Sequence, residues 1–266
     1  MKIGFIGAGN MGGAILRGYA PIAGGNDIYV YNRTEATRKA LEAEFDAVTA
    51  CDSAAELIEK CDIVMLGIKP NGFAGFLPEI AEVCTDDKII VSMAAGISIA
   101  FIEKYLGKGQ PVIRVMPNTP AMVGEAMTSA SRNGNVTDGM MDTVLGIFAG
   151  IGKAEEVDED MIHTVIGVSG SSPAYTYMYI DALIQAAVEN GMPEDKARVF
   201  AAQAVMGAAK MVLENPDETP EQLWTNVCSP GGTTIEAVNT FFANGLQDKI
   251  KEGFQAAVDK SKILTK

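Results

Sequence analysis

The sequence predicts an α/β fold in which a doubly wound, mostly parallel sheet is followed by an all-helical half. Three observations predict it. Short apolar runs alternate with helical stretches through the first part of the chain. A glycine-rich turn closes the first of those runs. After about residues 153–157, no segment combines strand length with β-branched enrichment.

The expected strands are Lys2 to Ile6, Asp27 to Tyr31, Ile63 to Ile68, Lys88 to Ser92 and Val112 to Met116. Their near-continuous apolarity suits strands covered by helices on both faces. Met11 to Tyr19 reads as the helix after the first strand, and Ser53 with Glu56 three residues later reads as a capping box opening another. In the second half Ile180, Leu183, Ile184, Ala187 and Val188 share one helical face, as do Ala201, Ala204, Val205, Ala208 and Val212. Ile235, Val238 and Phe242, then Leu246, Ile250 and Phe254, mark two further helices. The change of pattern divides the chain into an α/β half at 1–160 and a helical half at 161–266. So much apolar surface on helices points to an obligate homodimer, with a self-contained monomeric bundle as the alternative.

Composition narrows the partners. With 48% hydrophobic and 21% charged residues over 266, the chain is neither disordered nor fibrous. A net charge of -13 disfavours nucleic acid and anionic membrane surfaces. Cys51, Cys61, Cys84 and Cys228 are far apart, and His163 is the only histidine, so neither a metal site nor a disulfide framework is expected. A reducing cytoplasm is the compartment this suggests. The first strand begins within two residues of Met1, so no signal peptide is expected. The longest uncharged stretches, 89–102 and 164–180, fall short of the ~20 residues of a membrane helix and read as buried core.

Gly7, Gly9 and Gly12 form GxGxxG between the first strand and the first helix, with Ile6, Ala8, Asn10 and Met11 completing the loop. Glycines at these places tighten the turn, let backbone approach a pyrophosphate, and aim free N–H groups at the anion. In this strand-to-helix context the motif predicts dinucleotide binding on a Rossmann-type sheet. An NAD enzyme usually places an acid about 20 residues further on, where it meets the ribose hydroxyls. Here the second strand ends in Asn32, Arg33 and Thr34, which can donate to or pair with a 2'-phosphate, so NADPH is favoured over NADH. Arg33 as a merely solvated residue stays open. Ile68, Lys69 and Pro70, and then Met93, Ala94 and Ala95, follow later strands and are the expected walls of the cofactor crevice. Simple solvation of Lys69 stays open as well.

Taken in order, Gly7 to Gly12, Ile68-Lys69-Pro70, Ser92 to Gly96, Arg114 to Pro120 with its MPNTP core, Gly170 to Tyr175, and Ser229-Pro230-Gly231-Gly232-Thr233-Thr234 resemble pyrroline-5-carboxylate reductase over almost the whole chain. MPNTP and SPGGTT are much more specific than the glycine motif. One departure is Gly67, where the family usually has Ala.

The resemblance implies hydride transfer from NAD(P)H to the C=N carbon of 1-pyrroline-5-carboxylate, giving L-proline. It implies a homodimer, with a decamer as the further assembly open to it. By the same resemblance Ser229 and the backbone around Gly231, Gly232 and Thr233 hold the substrate carboxylate, and Thr234 hydrogen-bonds the ring nitrogen. Asn226 touches the nicotinamide end of the cofactor, and Ser171 and Pro173 shape the pocket.

The chemistry is consistent with those residue types, because hydride transfer depends on positioning and needs no strong base. Thr234 can donate or accept a hydrogen bond but cannot act as a general base. His163 reads as a structural residue rather than a proton donor, and Cys228 as a small packed side chain. A β-hydroxyacid dehydrogenase would want a Lys between Gly167 and Ile180, and none is present. A nonenzymatic NADPH sensor would keep the glycine loop but has no use for SPGGTT. The enzyme reading expects the carboxyl edge of the first half and the SPGGTT turn to share a cleft.

Overall fold

The computed structural model describes residues 1–265. It contains one sheet of eight strands in the order β3-β2-β1-β4-β5-β6-β7-β8. β1 is Lys2–Ile6, β2 Asp27–Tyr31, β3 Val48–Ala50, β4 Ile63–Leu66, β5 Ile89–Ser92, β6 Val112–Met116, β7 Ala126–Arg132 and β8 Gly152–Glu156. Every neighbouring pair is parallel except β6 and β7. The strand order reverses on either side of β1, which makes its carboxyl end the place where a ligand crevice forms.

The five expected strands are present, with two shortened at an end. β4 stops at Leu66, although the Gly67 amide still donates to Ile6 O at 2.8 Å, and Lys88 lies outside β5. β3, β7 and β8 lacked a sequence signal for plain reasons. β3 has only three residues, β7 (AMTSASR) carries small polar side chains in place of an apolar run, and β8 (GKAEE) is a charged edge strand.

Helices α1 (Asn10–Tyr19), α2 (Glu35–Glu44), α3 (Ala54–Lys60), α4 (Phe73–Ile80), α5 (Ile99–Leu106) and α6 (Asp138–Ala149) connect these strands. Alternate residues of β4 show why both faces must be covered. Ile63 and Met65 join one core with Ile15 and Leu16 of α1 and Val144 and Phe148 of α6, while Val64 and Leu66 join another with Leu57, Leu77 and Ile102. The Ser53 hydroxyl accepts from the Glu56 amide as a capping box requires. The Glu56 carboxylate reaches back to the Asp52 amide rather than that of Ser53, so the box closes one residue early.

Beyond β8 lie α7 (Ile162–Val165), a π-helical turn (Ile166–Gly170), α8 (Ser172–Glu189), α9 (Glu194–Glu214), α10 (Pro220–Val227), α11 (Thr233–Ala243) and α12 (Leu246–Leu264). Packing groups residues 1–171 with 257–266 as one compact unit, of which 266 is outside the described residues, and 172–256 as a second. In the second unit α8, α10 and α11 have no buried residue, and α9 has one, Ala197. Met178 is 73% exposed and Phe200 67%. Helices this apolar without an interior need a further surface to cover them.

In the first unit Arg114 of β6 is the largest fully buried side chain. Its Nη1 donates to Glu159 Oε1 at 2.9 Å, and the same oxygen accepts from the Ile99 amide at 2.9 Å. The Arg114 side chain is 2% exposed and that of Glu159 30%, so the two halves of the pair are not equivalent. Removing Glu159 strands a buried cation, whereas removing Arg114 leaves a carboxylate that water can reach. Glu159→Ala should therefore cost about 3 kcal/mol of stability, and Arg114→Met clearly less. Urea unfolding of the two variants measures this, and equal losses would contradict the asymmetry.

Candidate active site

β1 ends at Ile6 and the chain turns at once through Gly7, whose φ of +91° is a left-handed conformation that side chains rarely adopt. The Gly7 amide donates to Tyr31 O at 2.9 Å, which fixes the turn on β2. The Gly7 carbonyl then faces two other backbones. A Cβ at Gly12 would lie 2.2 Å from Gly7 O, and one at Gly67 would lie 2.3 Å from it. Thus Gly67, the departure noted in the sequence, is in this chain a contact residue of the glycine loop. An Ala there would require the Gly7 peptide to move.

Gly9 differs in kind. It is the N-cap of α1, and a Cβ built on it meets nothing within 4 Å. The space over Gly9 is open because α1 starts there, and its first N–H groups have no intrahelical acceptor. An open backbone edge at a helix N-terminus, beside the carboxyl end of the central strand, fits a pyrophosphate. Ala8 and Gly12 are buried beneath the loop, Asn10 is exposed and Met11 is half-buried. A cleft of ≈890 Å³ opens beside this loop, lined by Gly9, Asn10, Met11, Arg17, Thr119 and Met122 among others.

The remaining residues of the dinucleotide set lie at the carboxyl ends of neighbouring strands. Asn32, Arg33 and Thr34 follow β2, with Arg33 and Thr34 exposed and Asn32 half-buried. Ile68, Lys69 and Pro70 follow β4, where Lys69 is exposed. Met93 and Ala94 are buried after β5, and Ala95 is exposed just before Gly96 at φ +78°.

One residue in this region had no sequence signal. Arg38, 9% exposed on α2, donates to Asn32 O at 3.3 Å and to Asp52 Oδ1 at 3.1 Å, and its guanidinium lies 5.9 Å from the Tyr31 ring centroid. It places a buried cation directly behind the Asn32-Arg33-Thr34 loop. In sequence it is simply one charge of a polar helix.

The second predicted set sits on one turn of the helical unit. Gly231 has φ +69°, and Gly232 is the N-cap of α11. The Gly232 amide donates to Ser229 O at 3.0 Å, closing the turn. The donors left at the helix start are therefore the amides of Thr233 and Thr234, one residue later than the sequence suggested. Ser229 and Thr233 are exposed and Thr234 is half-buried. Asn226 near the end of α10 is exposed and donates to Glu218 Oε2 at 3.3 Å. Ser171 and Pro173, both half-buried, flank the junction between the π-helical turn and α8.

The alternative role of His163 as a proton donor loses ground on chemistry. His163 Nδ1 is 2.8 Å from Ser261 Oγ, and burial, then the positive charges of Arg114 and Lys262, lower its pKa. An imidazole bonded to a serine within the first unit suits a structural role. Burial pushes the thiol of Cys61 up to about 12 and that of Cys84 up to about 11, so neither is a nucleophile near neutrality. Among the described residues no cluster of His, Cys, Asp and Glu could hold a metal ion, and no helix is long and apolar enough to cross a membrane.

Comparison with known proteins is decisive on kinship. The pyrroline-5-carboxylate reductase of Escherichia coli strain K12 is 46% identical over 100% of this chain and 98% of its own length. The chain belongs to the pyrroline-5-carboxylate reductase family. A family model described as pyrroline-5-carboxylate reductase dimerisation matches residues 159–264, and one described as NADP oxidoreductase, coenzyme F420-dependent, matches residues 2–96. The structure of a family member from Coxiella burnetii superposes with a TM-score of 0.91 at 32% identity, covering 99% of this chain and 98% of that one. That of the Plasmodium falciparum enzyme with NADP bound gives 0.89 at 29% identity, covering 100% and 98%. The chain is thus an NAD(P)H-dependent oxidoreductase of Rossmann type with a C-terminal dimerisation domain.

The two glycines can be told apart by experiment. Gly9→Val should keep the wild-type melting temperature, because its side chain enters open space, yet weaken NADPH binding at least about tenfold by filling the anion's approach. Gly12→Val should weaken binding and also lower the melting temperature, because its Cβ meets the Gly7 carbonyl. Fluorescence titration and thermal unfolding check both. A Gly9→Val protein with wild-type affinity would remove the loop from the cofactor site.

Proposed function

We propose that this chain reduces 1-pyrroline-5-carboxylate to L-proline, with NADPH preferred over NADH, as a cytoplasmic homodimer that can assemble further into a decamer. The observation that carries the reading is the presence in one chain of an open glycine cradle at the sheet's switch point and a glycine turn that starts α11 with free amides. We assign dinucleotide binding to residues 1–160, and dimerisation and substrate binding to residues 161–266. Bound NAD(P)H supplies a hydride to the C=N carbon, and the ring nitrogen ends with a proton.

The chain's own residues bind and orient. Ile6 to Gly12 receive the pyrophosphate, with Gly9 leaving room and the start of α1 supplying N–H groups and a positive dipole end. Asn32, Arg33 and Thr34 meet the ribose phosphate. No carboxylate stands among these three to repel a 2'-phosphate, and Arg38 fixes the Asn32 carbonyl from behind, which supports NADPH. Ile68 to Pro70 and Met93 to Ala95 wall the crevice, and Asn226 approaches the nicotinamide.

Ser229 and the amide of Thr233, presented by the Gly231–Gly232 turn, hold the substrate carboxylate with neutral donors, at a helix N-terminus that favours an anion. The Thr234 hydroxyl hydrogen-bonds the ring nitrogen, and Ser171 and Pro173 shape the pocket. Covering the exposed faces of Tyr177, Met178, Val199 and Phe200 with a second copy supports the dimer.

Oxidation of NADPH, and separately of NADH, on adding 1-pyrroline-5-carboxylate to the purified chain tests the reading, with L-proline as the product to be identified. Absence of turnover with intact NADPH binding would favour a sensor instead. Thr234→Ala should bind cofactor normally and lose about ten- to a thousand-fold in kcat, the range for one oriented hydrogen bond. Wild-type kcat in that variant would remove Thr234 from the mechanism.

A further inference from the structure

Asn118 stands at the centre of the MPNTP motif, 8% exposed at the end of the loop after β6. Its side chain makes two bonds of opposite sense. Oδ1 accepts from the Met127 amide of β7 at 2.9 Å, and Nδ2 donates to the Ser169 carbonyl at 3.1 Å. A backbone amide can only donate and a carbonyl can only accept, so only one orientation of the Asn amide satisfies both.

The Ser169 carbonyl has a particular need. In a continuous helix its partner would be the N–H of the residue four positions on, and that residue is Pro173, which has none. The helix meanwhile widens over Ile166–Gly170, where the Ser171 amide donates to Ile166 O at 2.7 Å, five residues back. Asn118 thus supplies the hydrogen bond that Pro173 withholds. The other end of the same amide is pinned to β7, and the Asn118 carbonyl receives the Ala121 amide at 3.2 Å in the turn whose Thr119, Ala121 and Met122 line the cleft beside the glycine loop.

We infer that Asn118 is a positioning residue, which ties the π-helical turn, and with it the Ser171 that follows, to the loop whose Thr119 lines the cleft, by bonding the carbonyl to which Pro173 offers no N–H. π-helical turns recur at functional sites because they re-aim the residues that follow. The inference rests on the proposed reduction, in which Ser171 and Pro173 shape the pocket. Asn118 itself touches no reacting atom, and its effect is on where its neighbours stand. A displacement of about 1 Å in such a frame costs on the order of 100-fold in rate.

The test is steady-state reduction of 1-pyrroline-5-carboxylate by wild type, Asn118→Ala and Asn118→Asp, with NADPH affinity and melting temperature measured on each. Asn118→Ala should lose about 10- to 100-fold in kcat while NADPH affinity stays within about twofold. Asn118→Asp keeps the acceptor for Met127 but sets a carboxylate against the Ser169 carbonyl. Protonation restores a donor, so its kcat should recover relative to wild type as pH falls. In a Pro173→Ala background the Ser169 carbonyl regains a helical donor, and the cost of Asn118→Ala should shrink several-fold.

A wild-type kcat in Asn118→Ala would overturn the inference. So would a parallel loss of NADPH affinity and melting temperature, which would make the residue merely structural, or an equal cost in both backgrounds. Failure of the wild type to reduce the substrate at all would instead overturn the proposed function, and this inference with it.

Discussion

Backbone meets backbone at Gly7, and the first half of the molecule is arranged around that contact. The Gly7 carbonyl lies where side chains on Gly12 and Gly67 would begin, so α1, the end of β1 and the end of β4 approach more closely than any residue with a Cβ allows. No rotamer change can relieve such a contact, because each partner is main chain. It fixes how α1 leaves the sheet, and therefore where its unpaired N–H groups point. Gly9 gains its open surroundings from the same geometry, since the helix begins there without a side chain above it. Packing alone thus leaves an open backbone edge of a kind that suits an anion, with no cation in the loop, in a chain whose net charge is -13.

The helical half follows a different logic. Its helices carry apolar residues on several faces, and a single copy buries almost none of them. The wide apolar faces of α8 and α9 would be a solubility liability for a monomer. They make sense in a family whose C-terminal region is a dimerisation domain. The last part of α12 belongs with the first unit, where Val258 and Ser261 are buried and Ser261 meets His163. Gly96, φ +78°, has Leu264 O only 2.7 Å from where its Cβ would be, so the end of that helix seats on the loop after β5.

Much of this was legible in the sequence, and the rest has identifiable causes. Central strands such as Ile63–Leu66 are covered on both faces, so they read as unbroken apolar runs. GxGxxG between a strand and a helix located the cradle, and the ordered motifs from MPNTP to SPGGTT carried the family resemblance. The last two strands were not legible, because β7 lies buried between β6 and β8 with mostly small or polar side chains in place of an apolar run, and β8 is a charged edge strand. α10 was missed for a related reason, since PEQLWTNV is too short to show a helical period, although its Thr219 and Gln222 form a complete capping box. Arg38 and Asn118 make contacts that no local pattern encodes, Arg38 to Asn32 O and the Asp52 carboxylate, and Asn118 to Ser169 O. The resemblance pointed to the Gly232 amide as a donor, whereas the closing of the turn onto Ser229 occupies it.

We propose that the dinucleotide phosphates are held by the backbone at Gly9 to Gly12, opened by the contact of Gly7 with Gly12 and Gly67. Amide hydrogen exchange, resolved by residue with and without saturating NADPH, tests this most directly. Exchange at the amides of Asn10, Met11 and Gly12 should slow markedly when cofactor binds. Unchanged exchange at those amides, with protection appearing elsewhere in a chain that still oxidises NADPH, would contradict it.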